Sequence, residues 1–242
     1  MMKFAEILEE INTLCTEVKE IKEKQKTEIN KYYAAFDELS FKERVAKRNE
    51  NTEATKEFDQ RITEYQERIT DGELKIKLLQ NNAKLALFND VMPVVLEVLQ
   101  KYNGKPYGVK TKEKICNEIK EKTNCYFYIR SGFSQKIYIT PVKTGNTYNI
   151  ECGTKYVNGE CKPLLVDNKI QPVSMEDLEI FYINRTYFDD LDGTVKELKR
   201  LHAEAKKKQE ELKQLCSQFN TLCVKGITSL DYNYAFNIGK II

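Results

Sequence analysis

Residues 123–140 read TNCYFYIRSGFSQKIYIT, two apolar-alternating runs around a short polar loop. Side chains alternate across a strand, so Cys125, Phe127 and Ile129 share one face while Tyr126, Tyr128 and Arg130 share the other. In the returning run Ile137 and Ile139 match the first set; Lys136, Tyr138 and Thr140 match the second. The spacing predicts a two-stranded unit with one core face. Its opposite face sets tyrosine rings beside a guanidinium and an ammonium, the combination that stacks bases and holds phosphates in single-strand binders. The same pattern also arises without a ligand. Tyrosine favours strands and tolerates half-burial, so a helix of the same domain could cover this face while Arg130 and Lys136 reach water. The sequence leaves both arrangements open.

Around these strands, residues 89–190 mix helical and extended patterns. Residues 85–102 read as an apolar helix interrupted at Pro93, and 103–108 as a turn. A short helix over 111–122 is expected, with Thr111 as its cap and Ile115 and Ile119 facing inward. Further strands are predicted near 147–152 and 164–173, with a hairpin at 156–160 whose Asn-Gly pair suits a type I′ turn. The cap spacing of Ser174-Met-Glu-Asp177 predicts a following helix. The order α-α-β-β-β-β-α makes this an α+β head with a mostly antiparallel sheet.

Both flanks are helical. The first 88 residues hold no proline and one glycine, Gly72. A 4-3 apolar seam runs through Phe4, Leu8, Ile11, Cys15 and Val18, passes the polar Lys22 and Gln25, and resumes at Ile29, Tyr32, Phe36 and Leu39. Ser40-Phe-Lys-Glu43 has the capping-box spacing and predicts a break there. A second seam follows, through Phe58, Ile62, Tyr65, Ile69, Gly72, Ile76, Leu79 and Ala83, with Gly72 as a weak contact layer. The spacing returns at Leu191, Thr194, Leu198, Leu201, Ala205, Lys208, Leu212, Leu215, Phe219 and Leu222. A lone helix cannot bury so narrow a stripe unaided. The pattern therefore predicts a coiled-coil stalk. In one form, segments 60–88 and 191–223 make an antiparallel hairpin around the head, with the first helix alongside; in the other, the contact is between chains. The organisation reads as a helical coiled-coil region (1–88), an α+β head (89–190), a return coiled-coil helix (191–226) and an apolar strand-like tail (227–242). In the tail Leu230, Tyr232, Tyr234, Phe236 and Ile238 alternate, which suits an added edge strand.

Composition narrows the function classes. No stretch approaches the roughly 18 to 20 apolar residues of a spanning helix, and the N-terminal run turns acidic where a signal peptide is apolar, so a cytoplasmic protein without membrane contact is expected. Seven cysteines without a Cys-x-x-Cys suit a reducing compartment. A disulfide or zinc clip between Cys152 and Cys161 is not expected: in a two-residue hairpin Cys161 would pair with Tyr156, and Cys152 would lie opposite Leu165. A net charge of +2 with 31% charged residues gives no global basic field. The stretch GKPYGVKT at 104–111 misses the Walker spacing and reads as a turn carrying Lys105 and Lys110 toward a helix N-terminus, where a phosphate contact is available. The single histidine, His202, lies in the heptad helix, so no histidine dyad can be built and no catalytic residue is assigned. The acidic run 189–193 fails as a calcium loop, because Phe188 and Lys199 would fill its first and twelfth positions; it reads as a turn feeding a helix N-terminus.

These features point to a non-enzymatic binding protein with no cofactor and no metal, in which a coiled-coil stalk presents or dimerises a head that grips a macromolecular partner. A protein partner is expected first. Nucleic acid is the alternative, through Tyr126, Tyr128, Arg130, Lys136 and Tyr138 with Lys105 and Lys110. The Lys, Asn, Ile and Glu bias fits an AT-rich bacterial or phage genome, hence a mobile-element factor acting on a host protein or nucleoprotein.

Overall fold

The computed structural model describes residues 3–34, 39–50, 52–131, 135–157 and 160–224. The helices are α1 (Phe4–Ala34), α2 (Phe41–Glu50), α3 (Thr52–Lys101), α4 (Val109–Thr123) and α5 (Leu191–Val224). The strands are β1 (Cys125–Arg130), β2 (Lys136–Pro141), β3 (Ile150–Thr154), β4 (Tyr156–Val157), β5 (Glu160–Cys161), β6 (Leu165–Val166), β7 (Lys169–Ile170) and β8 (Leu178–Ile180). The chain forms two compact units, residues 1–189 and 190–242. Phe36, the Asn-Gly turn at 158–159 and the apolar tail lie outside the described residues.

In the first unit α1 and α3 run antiparallel. Val18 meets Gly72, Lys22 pairs with Glu73 at 2.7 Å, Gln25 reaches the Ile62 carbonyl, and Tyr32 stacks on Phe58 with centroids 3.9 Å apart. Ile7, Ile11 and Val18 are buried on α1; Phe58, Ile69, Leu79 and Ala83 are buried on α3. Over this stretch the partner of the α3 stripe is therefore α1. Gly72 is not a weak layer: a Cβ there would lie 2.4 Å from Val18 Cγ2, so the missing side chain lets the helices close. The break near Ser40 is present, with the Ser40 amide donating to Glu43 Oε2 at 2.8 Å and the Glu43 amide to Ser40 Oγ at 3.4 Å.

α3 runs unbroken through Pro93, about 75 Å at 1.5 Å per residue. Pro93 is exposed, so the hydrogen bond its ring forgoes is on the water side. From Leu78 onward the helix is buried on most sides, and Val91, Met92, Val95, Val98 and Leu99 receive the inner face of the sheet. That sheet is antiparallel in the order β1-β2-β3-β8, and Phe127, Ile129, Ile137, Ile139, Ile150, Cys152, Leu178 and Ile180 point into the shared core with Ile115 and Ile119 of α4. The head is thus α+β, with its helices on one side.

Three local expectations are corrected. α4 begins at Val109 with Gly108 as its cap, because Thr111 already lies inside the first turn. Ser174 and Asp177 do exchange hydrogen bonds, but they close a turn that feeds β8, not a helix; β3 offers residues 178–180 a free edge, and the ladder takes them. Cys152 lies between Ile137 and Ile180, not opposite Leu165, while Tyr156 does pair with Cys161. Among the described residues a two-residue turn with positive φ at both positions is Asp167-Asn168, between β6 and β7.

Beyond β8 the chain is held to α3 by two neighbouring asparagines. Asn82, 1% exposed, donates to the Phe188 carbonyl and accepts from the Phe188 amide, both at 2.9 Å. Asn81 does the same for the Thr186 carbonyl at 3.1 Å and the Asn184 amide at 2.8 Å. In the second unit Asp190 caps α5 through the Gly193 amide at 2.9 Å, as the acidic-turn reading expects.

Gly72→Ala should lose stability on denaturant unfolding: crowding Val18 costs about 1–3 kcal/mol, against a helix-propensity gain of about 1 kcal/mol. Adding Val18→Ala should restore the alanine variant, giving a coupling of at least about 1 kcal/mol in the double-mutant cycle.

Candidate functional site

The strand register arranges the outer face of the sheet in rows. Arg130, Lys136, Gly153 and Glu179 form the first; Tyr128, Tyr138 and Glu151 form the second; Tyr126 and Thr140 begin the third. Phe181 extends the second row, since its amide donates to the Glu151 carbonyl at 2.9 Å. α3 and α4 occupy the inner face, and Tyr126 and Tyr128 remain 51% and 43% exposed. A helix of the head does not cover these rings. The five strand residues singled out in the sequence, Tyr126, Tyr128, Arg130, Lys136 and Tyr138, therefore stand together on one open face.

The face has two halves of different character. On β1 and β2 the Tyr128 and Tyr138 rings stack across the strands, 4.6 Å apart and within 3° of parallel. Arg130 is exposed beside them, and Lys120 of α4 sits 4.9 Å from the centre of the Tyr126 ring. These strands add no carboxylate to the face. On β3 and β8 there are two, each held by a cation: Glu151 pairs with Lys136, and Glu179 with Arg185. The Glu151 carboxylate raises the Lys136 pKa above its ordinary value and keeps the ammonium charged. That ammonium also lies 5.1 Å from the Phe181 ring and 5.8 Å from the Tyr182 ring. Phe181 folds back over Gly153, where a Cβ would come within 3.0 Å of the ring. Tyr182 is 83% exposed with φ of 60°, an unfavourable conformation for a bulky side chain.

On the free side of β1 two backbone groups are taken by side chains. The Ile129 amide donates to the Tyr107 hydroxyl at 3.1 Å, and the Cys116 thiol donates to the Phe127 carbonyl at 3.0 Å. Burial pushes the Tyr107 hydroxyl up to about 12, so it stays protonated at neutral pH. With the Ile129 amide and the Phe127 carbonyl engaged, these two positions of the edge are closed to an added strand. What the head presents here is side chains.

Lys105 and Lys110 lie on different elements. Lys105 is in the α3–α4 connection, its backbone tied to Ile170 and its ammonium 5.0 Å from the Tyr102 ring; Lys110 is exposed in the first turn of α4. Neither belongs to the rows of the sheet face. Sequence reading missed Lys120, Glu151, Glu179, Phe181, Tyr182 and Arg185. Glu151 was accessible from the alternation of residues 150–152, whereas Phe181 and Tyr182 follow a strand read as a helix. Among the described residues no three His, Cys, Asp or Glu side chains gather as metal ligands. Burial raises the thiol pKa of Cys152, to about 12, and those of Cys116 and Cys125 above the ordinary value, which keeps these groups protonated.

Compared with protein-family models, curated proteins and solved structures, the chain matches none.

Because Tyr128 is half in water, Tyr128→Ala should remove about 1 kcal/mol, chiefly the stack with Tyr138, and not the about 3–5 kcal/mol of a buried aromatic. Denaturant unfolding of the variant distinguishes these values.

Proposed function

We propose that this chain is a non-enzymatic binding protein whose head grips a macromolecular partner with the open face of its sheet. The observation that carries this reading is the exposure of Tyr126 and Tyr128 beside Tyr138 and Arg130 on a face whose opposite side is fully packed. Tyrosine and arginine are the residue types that concentrate binding energy at interfaces, and here the Tyr128–Tyr138 stack holds two of the rings in place. The ion pairs on the face point toward a protein partner first. A surface carrying Glu151 and Glu179 as well as Lys136 and Arg185 complements mixed charge better than it complements a uniformly anionic polymer. A mobile-element factor that occupies a host protein belongs to this class.

The β1–β2 half supports nucleic acid as a second reading. Its parallel tyrosine rings, Arg130 and Lys120 form a base-stacking platform with cations at its margin and no carboxylate of its own.

The test uses the full chain and two face variants, Tyr128→Ala and Arg130→Ala. Capture from a host extract is expected to yield a nuclease-resistant protein whose direct affinity, remeasured with the purified pair, falls roughly thirtyfold in each variant, the about 2 kcal/mol of a hot-spot side chain. Retention unchanged in both variants removes the face as the binding site. If nuclease abolishes capture, and labelled single-stranded oligonucleotides bind with an affinity that falls steeply from about 50 to about 200 mM salt, the second reading replaces the first.

A further inference from the structure

Where β8 ends beside the start of β3, the ladder between them is left half closed. The Phe181 amide donates to the Glu151 carbonyl at 2.9 Å, but β8 stops at Ile180 and the reciprocal bond, from the Glu151 amide to the Phe181 carbonyl, is not made. A strand residue aims its N–H and C=O to the same side, so the Glu151 amide faces the space that the departing chain leaves. The departure is at Tyr182, whose φ of 60° turns the chain between two fixed points, the Phe181–Glu151 bond and the Asn184 amide donating to Asn81 Oδ1 at 2.8 Å. Against α3 the turn leaves a cavity of about 70 Å³, with Lys84, Asn149, Glu151, Phe181, Tyr182 and Ile183 in its wall. Lys84 reaches it from α3. This lysine is half-buried, and no hydrogen bond or ion pair joins its ammonium to any described residue. The neighbouring helical positions, Gln80, Asn81, Leu87 and Phe88, supply no carboxylate. The carboxylates of β3 and β8 are both taken, Glu151 by Lys136 and Glu179 by Arg185. One positive charge is left over at the cavity, beside a backbone donor.

We infer that this cavity takes an acidic side chain, aspartate or glutamate, of the protein that the sheet face grips. The inference rests on that reading of the face, and the cavity adjoins it: Glu151 and Phe181 belong to the second row, and Tyr182, 83% exposed, stands at the rim. Size and charge both select the occupant. A space of about 70 Å³ falls well short of the roughly 300–1,000 Å³ of sites that enclose whole small molecules, so one side-chain group enters and a nucleotide does not. A single surplus ammonium matches a single negative charge. The Glu151 carboxylate does not oppose that charge, because Lys136 already holds it. One oxygen of the incoming carboxylate accepts from the Lys84 ammonium and the other from the Glu151 amide, two charge-assisted hydrogen bonds from donors that the fold has fixed on opposite walls.

Propionate stands in for the acidic side chain and dimethyl phosphate for a nucleic-acid backbone, each titrated at matched ionic strength into the full chain while its backbone amide resonances are followed. Propionate should shift the Glu151 amide resonance saturably, and dimethyl phosphate should bind more weakly. Lys84→Met retains side-chain length and helix preference, so it should abolish the shift without lowering the melting temperature. The same variant should bind the protein retained from host extract about thirtyfold more weakly, since it strips one partner from a charge pair buried at an interface. The inference is overturned if propionate gives no saturable shift in the wild type, if the shift persists in Lys84→Met, or if dimethyl phosphate binds as well as propionate. It is equally overturned if Lys84→Met leaves the affinity for the retained protein unchanged. The two readings fail separately. Capture that ignores Tyr128→Ala and Arg130→Ala removes the face, and this occupant with it, even where propionate binds, whereas capture that depends on those residues but not on Lys84 removes the cavity alone.

Discussion

The first unit depends on one constraint, a single helix that must be buried along one stripe for half its length and on most sides for the rest. Between Phe58 and Ile76 α3 shows α1 a narrow apolar line, and from Leu78 to Leu99 it is the floor on which the sheet and α4 are laid. Each large side chain fully buried there contributes about 1.5–3 kcal/mol, so the contact of Met92, Val95 and Val98 with the isoleucines of β2 and β3 outweighs any single polar interaction in the unit. Pro93 persists within this helix because its ring faces water and packing holds the turns on either side.

From that arrangement follows the open face. With α3 and α4 both on one side, no helix among the described residues lies over the other side of the four strands, and the residues that alternate outward meet mainly one another. They meet that condition in pairs: Tyr128 with Tyr138, Lys136 with Glu151, Glu179 with Arg185, and Phe181 over Gly153. The two of these that join strands, Tyr128 with Tyr138 and Lys136 with Glu151, contribute roughly 0.2–1 kcal/mol each. At the free edge of β1 the Ile129 amide and the Phe127 carbonyl are taken by Tyr107 and Cys116.

The segment leading out of the head is tied down differently. Asn81 and Asn82 each present an amide that donates to one backbone carbonyl and accepts from one backbone amide, the pattern a neighbouring strand would provide. For Asn82 this takes place at almost complete burial, where an unpaired amide would be costly. Residues 184–188 therefore gain an anchored path over α3 without joining the sheet.

The sequence by itself determined which residues alternate and which recur every three to four positions. Cys125, Phe127 and Ile129 had to share a face if extended, the Ser40–Glu43 spacing marked a turn, and the acidic run 189–193 marked another, because each of these rests on backbone geometry within a few residues. Only the tertiary structure decided what each pattern meets. A heptad stripe states that a helix needs a partner without saying which, and it was the fit of Val18 into the space left by Gly72 that seated α1 on α3. The cap spacing at Ser174–Asp177 closes a turn whether helix or strand follows, and the free edge of β3 made it a strand. Whether Tyr126 and Tyr128 would be covered was likewise undecidable from tyrosine's tolerance of both environments. It was resolved by the side of the sheet on which α3 and α4 had already found enough apolar surface to bury.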